Sequence, residues 1–202
     1  MKFPNREELS LEGVLLMVRV RKQNINRIRQ GDIFKQIEYI EYVSEVNGII
    51  EVSKILFPYV IVLTQDCDLQ QDFTFRWAKR RPKDNQDKLL LSVLVAPLYN
   101  AEHVYSGDHL SDLGLKMQFI SKKKTPGKNL RNNIMPRYHY IEFPPNIPIV
   151  PSVIDFKHYF SVNLEYLKKV KNEKFVCNIA PLYREDISQR FAAFLSRIGL
   201  PD

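Results

Sequence analysis

The sequence predicts an α+β protein: a strongly bent antiparallel sheet or small barrel, with an amphipathic helix near the C-terminal end covering one face. Three observations carry that expectation. Asn47-Gly48 separates two β-rich stretches, and both residues tolerate the positive φ that a two-residue hairpin turn requires. The segment from Tyr59 to Gln65 is dominated by an apolar run, which suits a central strand buried on both faces. Tyr183, Ile187, Phe191, Phe194, Leu195 and Ile198 recur at helical spacing, while Arg184, Glu185, Ser188, Gln189 and Arg197 face water. Gly199 then suits the left-handed C-terminal position, and Pro201 blocks continuation.

The elements follow in chain order. Residues 5–12 fit a short helix with Asn5 as N-cap and Glu8 as its reciprocal partner. Val14 to Val20 is apolar enough for a strand, and Arg21, Lys22, Arg27 and Arg29 continue it as a basic connection. Gln30-Gly31-Asp32 signals a turn into the aromatic, β-rich stretch Ile33 to Tyr42. Tyr39 to Val46 is then expected to pair antiparallel with Ile49 to Leu56. Residues 70–88 read as a short helix followed by an exposed basic loop, and Lys88 to Pro97 as a strand. Val95-Ala96-Pro97-Leu98-Tyr99 and Ile179-Ala180-Pro181-Leu182-Tyr183 echo one another. A proline at the first helical position lacks only an N–H that would be unpaired anyway, so both read as strand-to-helix exits. Residues 121–133 read as a mobile basic loop, Tyr138 to Phe143 as a strand and Pro144 to Pro151 as an extended connector. Ser152 to Val162 reads as a strand, Asn163 to Val170 as a helix and Phe175 to Ala180 as a strand.

With 202 residues and 45% hydrophobic content the chain is long enough for a self-sufficient core. It is expected to be a single domain over 1–202: an N-terminal extension (1–28), a barrel-like core (29–100), a helical and basic-loop insertion (101–136), and completing strands with the C-terminal helix (137–202). The net charge of +7 favours an anionic partner. Cys67 and Cys177 are too few for a disulfide scaffold and lack the paired spacing of a zinc site, which fits reduced thiols in a cytoplasmic protein. The N-terminal residues lack the order of a signal peptide, and Gly13 to Val20 is too short to cross a bilayer, so no membrane partner is expected. Seven glycines form no phosphate loop, and four histidines form no i, i+4 ligand pair, so neither a cofactor nor a metal is expected.

The segment Thr64-Gln65-Asp66-Cys67-Asp68, where the apolar run ends, is the candidate site. Strand tips hold reactive side chains rigidly and expose them at the turn. Asp66 and Asp68 on one side of an extended chain suit a divalent metal, as in phosphodiester-cleaving sites. Cys67 suits a nucleophile with His139 or His158 as base, and a Cys67, His139 and Asp155 triad can be written down. A recognition surface without chemistry is a third reading. A structural account stands beside all of these: Asp68 and Gln71 fit a capping box, and Cys67 packs as a small buried hydrophobe. Nucleic-acid contacts are expected from Arg76, Trp77, Arg80 and Arg81, a stacking plane beside cations, and from Lys122, Lys123, Lys124, Lys128 and Arg131. Single-stranded RNA suits loop-borne cations and exposed rings best.

Arg29-Gln30-Gly31-Asp32-Ile33-Phe34, Val62 to Leu69, and Tyr183 to Phe191 with Arg197 to Pro201 together resemble an uncharacterised family of bacterial and phage proteins, a likeness that implies no activity. More remotely, a Gly-Asp-Ile turn opening a strand, a long Val-Ile-Val-Leu-Thr strand and a C-terminal helix are similar to the SH3-like barrel of MazF/PemK-type toxins, which are endoribonucleases. That resemblance implies a site residue near Thr64 and a phosphate contact from Arg29, which join Asp66, Cys67 and His139 as catalytic candidates. The chain departs from those toxins in its much greater length and in the Asp66-Cys67-Asp68 sequence after the strand.

The expectation is therefore a nucleic-acid-interacting protein, with RNA favoured and a toxin- or defence-type endoribonuclease as its candidate activity. The alternatives are a thiol- or metal-dependent hydrolase centred on Asp66-Cys67-Asp68, and a non-catalytic module that docks another protein.

Overall fold

The computed structural model describes residues 17–22, 26–77 and 86–197. The expected helix at 5–12, the basic residues 78–85, and Ile198, Gly199 and Pro201 lie outside the described residues. The strands are β1 (Val20–Arg21), β2 (Asp32–Val46), β3 (Ile49–Val62), β4 (Ser92–Asn100), β5 (Tyr138–Ile141), β6 (Ser152–Asp155), β7 (Phe160–Asn163) and β8 (Phe175–Ile179). The helices are α1 (Asp66–Arg76), α2 (Ala101–Ser106), α3 (Thr125–Arg131), α4 (Leu164–Lys174) and α5 (Pro181–Leu195).

Every strand pair is antiparallel, in the order β1-β8-β2-β3-β4-β6-β5, with β7 beside β4. The sheet curls into a half-barrel, and β3 lies at its middle as the apolar run predicts. Asn47 and Gly48, with φ of 54° and 79°, close the β2–β3 hairpin. Val46 opposes Ile49 and Tyr39 opposes Ile55, with a bulge between Ile40 and Tyr42.

The alternation of side chains gives the curled sheet a core on each face. Phe34, Val60 and Val62 point into one, with Leu69 of α1, Val104 of α2, Leu130 of α3 and Leu167 of α4. Ile33 and Ile61 point into the other, with Ile187, Phe191 and Phe194 of α5. The apolar stripe of α5 thus packs on the sheet, although Leu195 at its end is exposed.

Several local expectations are corrected. Pro97 sits inside β4 opposite Val60, not at a helix start. It falls between the residues that pair with β7 (up to Val95) and those that pair with β6 (from Leu98), where a residue unable to donate is best tolerated. Pro181 does occupy the first turn of α5. The expected mobile loop at 121–133 contains α3, because Leu130 is fully buried and Gly127 packs tightly: a Cβ there would lie 2.4 Å from the Ser121 carbonyl. The strand expected over Ser152 to Val162 is split by a single 3₁₀ turn at Phe156–His158, where the Asp155 carboxylate accepts the Lys157 N–H. The distal half of the β2–β3 hairpin is an exposed ribbon, with Ile40, Val43, Ile50, Val52 and Leu56 open to solvent.

Candidate functional site

At the end of β3 the predicted residues form a clasp between three chain segments. The Thr64 hydroxyl accepts the Leu94 N–H at 2.7 Å, tying the tip to β4. Gln65 precedes α1 and donates its amide to the Ser188 hydroxyl of α5 at 3.1 Å. Asp66 begins α1, and its carboxylate accepts both terminal nitrogens of Arg27 at 3.0 Å and the Gln30 N–H at 3.2 Å. Arg184 of α5 lies 3.4 Å from the same carboxylate. Burial works to raise the Asp66 pKa, but the Arg27 hydrogen bonds and charge, the Arg184 charge and the Gln30 N–H outweigh it and hold the carboxyl below its usual range.

Two structural expectations here are corrected. Because α1 begins at Asp66, with Gln65 at the cap position, Asp68 lies in the first turn and not at the N-cap. Cys67 is exposed, not packed as a buried hydrophobe, and its thiol is 3.6 Å from the Asp68 carboxylate. No hydrogen bond or ion pair among the described residues joins Cys67 or Asp66 to His139 or His158.

Arg29 and His139 lie in separate surroundings. Arg29 is buried; its backbone N–H donates to the Asp32 carboxylate at 3.0 Å, and its Nε lies 3.6 Å from that group. His139 sits on β5 and is 4% exposed. Burial, helped by the Arg190 charge, pushes its pKa down to about 3, so the ring is neutral and the Asp186 carboxylate 4.0 Å away is not an ion-pair partner at neutral pH.

The nucleic-acid candidates divide in the same way. Arg76 is committed to Asp72, Glu165 and the Leu90 carbonyl. Trp77 is half exposed, but Phe73 packs beside it and Lys168 Nζ lies 3.3 Å from its ring centre. Arg80 and Arg81 lie outside the described residues. Lys122 pairs with Glu102 and lies over the Tyr105 ring. Lys123, Lys124, Lys128 and Arg131 are exposed, and none makes an ion pair with a described residue.

A second cluster was not assembled from the sequence. A cleft of about 610 Å³ opens beside β3, β4 and the segment after α2, bordered by Phe57, Tyr59, Tyr99, His103, His109 and Leu110 among others. Next to it, the Tyr99 hydroxyl is 3.1 Å from His158 Nδ1, and Asp155 Oδ2 is 3.4 Å from the same nitrogen. Arg137 grips Asp155 from the other side through Nε at 2.8 Å and Nη2 at 2.5 Å. Burial first, against the opposing Asp155 charge, lowers the pKa of both His109 and His158, leaving neutral rings at pH 7. Both ring nitrogens of His109 are sealed from solvent and have no hydrogen-bond partner of good geometry among the described residues; the nearby His103 backbone favours the protonated ring. Asp155 and His158, three residues apart, were visible in sequence, but nothing near His109 signals that it joins them.

No family model, curated protein or solved structure matches the chain.

Proposed function

We propose that this protein binds single-stranded nucleic acid, RNA by preference, through the surface that runs from Phe119 to Arg131. The observation that carries the reading is the combination within that stretch of an exposed aromatic ring, Phe119 at 69%, with four exposed cations, Lys123, Lys124, Lys128 and Arg131, that form no ion pair with an acidic group among the described residues. Cations free of internal partners release phosphate counterions at full effect, whereas Arg76 would first have to give up its carboxylates. An exposed ring adds a stacking plane that any unpaired base fits. Anchoring by Leu130 and Gly127 keeps this surface ordered, so binding forfeits less chain entropy than a mobile loop would. The net charge of +7 supplies long-range attraction of the same sign.

The test is fluorescence anisotropy of a labelled single-stranded RNA with the whole chain. Binding is expected to weaken with salt, with a slope of about −0.7 per phosphate contact. Replacing Lys123, Lys124, Lys128 and Arg131 together by Gln should lower both affinity and salt slope, while Phe119→Ala should cost about 1–3 kcal/mol and leave the slope unchanged. Absence of binding at low salt, or an unchanged slope in the fourfold variant, would overturn the reading.

A further inference from the structure

We infer that His109, Asp155 and His158 form a binding site for a first-row transition-metal ion that prefers imidazole nitrogen, such as Zn²⁺ or Co²⁺. The inference is independent of the RNA-binding surface. One donor atom from each residue lies within 4.8 Å of the others. Donors about 2.0–2.1 Å from a tetrahedral zinc stand roughly 3.4 Å apart. His158 Nδ1 and Asp155 Oδ2 are already 3.4 Å apart, so a small approach of His109 completes the set.

Counting lone pairs shows that the carboxylate has room. Asp155 Oδ1 accepts Arg137 Nε and the Lys157 N–H, and Oδ2 accepts Arg137 Nη2. A carboxylate offers about four acceptor positions, so one remains on Oδ2, the oxygen facing His158. His109 points the same way: among the described residues its two sealed ring nitrogens have no hydrogen-bond partner of good geometry, which is costly for an imidazole unless something shares its lone pair.

The charges around the site choose among metals. Arg137 cancels the Asp155 carboxylate, so Mg²⁺ and Ca²⁺, which depend on anionic oxygen, gain little, whereas an ion bound chiefly through two imidazoles loses little. The Arg137 grip also fixes the carboxylate plane, as outer hydrogen bonds do in built metal sites. Metal at His158 Nδ1 displaces the Tyr99 hydroxyl from that nitrogen, and the cleft that Tyr99 and His109 border offers a further ligand a way in. Three protein donors with one open position is the arrangement of ligand-accepting zinc centres.

The experiment uses the full chain carrying Cys67→Ser, which removes the exposed thiol as a competing ligand. After chelator treatment it is titrated with Co²⁺ and Zn²⁺ by absorption spectroscopy and calorimetry. The expected result is one saturable equivalent with visible Co²⁺ bands, displaced by Zn²⁺ but not by Mg²⁺. His109→Gln and His158→Gln should each weaken binding by roughly tenfold or more. Affinity for RNA should not change in these variants. A second measurement does not depend on variant folding: Zn²⁺ should shift the ring NMR signals of His109 and His158 and leave those of His139 in place. Absence of one-equivalent binding, undiminished binding in both histidine variants, or ring shifts confined to other histidines would each overturn the inference.

Discussion

Asp32 has no solvent exposure, yet its carboxylate accepts Lys171 Nζ at 2.7 Å, Asn178 Nδ2 at 2.8 Å and the Arg29 N–H at 3.0 Å. Lys171 is buried as well, and burial lowers its pKa against the pull of Asp32. Removing the anion alone leaves a buried ammonium, still bonded to the Arg27 carbonyl, without its counter-charge, a change that costs about 3–5 kcal/mol. Asp32→Ala should therefore show a loss of that size in urea denaturation, and a loss below about 1 kcal/mol would mean that Lys171 simply sheds its proton. The residues Gln30-Gly31-Asp32 were legible as a turn, since Gly31 has φ of 77°. Their role was not, because Lys171 and Asn178 lie 139 and 146 positions away and nothing local marks them as partners. The same limit applies to Asp66: the sequence located it at a strand tip, but Arg27 and Arg184, which neutralise it, approach only through the fold.

At the scale of elements, legibility follows periodicity and turn chemistry. The hairpin turn at Asn47-Gly48, the two-faced β3 and the stripe of α5 were readable because each pattern is local and matches its burial. α3 was not readable, since its sequence is polar and only the tight packing of Gly127 and Leu130 turns a basic loop into a helix. The distal hairpin is the reverse case: a strongly β sequence whose side chains find no core. Ile40, Val43, Ile50, Val52 and Leu56 are all about half exposed or more. Of these, Val43, Ile50 and Val52 lie beyond Ile40 and Lys54 and contribute little apolar burial, so that part of the ribbon should be dispensable to the fold. Joining Ile40 to Lys54, which face each other directly, through Asn-Gly in place of residues 41–53 keeps a two-residue turn in register. Denaturation free energy is expected to change by no more than about 1 kcal/mol, and solubility should rise as the apolar strip is lost. A shortened chain that no longer unfolds cooperatively would show that the ribbon belongs to the core.

Over the whole molecule, His109, His139 and His158 make stability depend on pH in one direction. His139 titrates near 6.5 when unfolded but only at about 3 in the folded chain, because burial and the Arg190 charge resist its protonation. Between those values the unfolded state binds a proton that the native state refuses. The stabilisation is complete above pH 6.5 and is lost as pH falls, at up to about 1.4 kcal/mol per pH unit for this one side chain. His109 and His158 are lowered in the same direction, and Asp66, held down by Arg27 and Arg184, adds a further loss in stronger acid as its ion pairs are protonated away. Urea denaturation at about pH 7.5 and about pH 5 should therefore give a clearly lower midpoint in acid, and His139→Leu should flatten part of that slope. The variant isolates one proton: the His139 ring nitrogen Nδ1 makes no hydrogen bond among the described residues and the side chain packs beside Phe156, so an apolar replacement leaves neutral-pH stability nearly intact. A slope identical in His139→Leu and the parent chain would place the acid sensitivity on other groups.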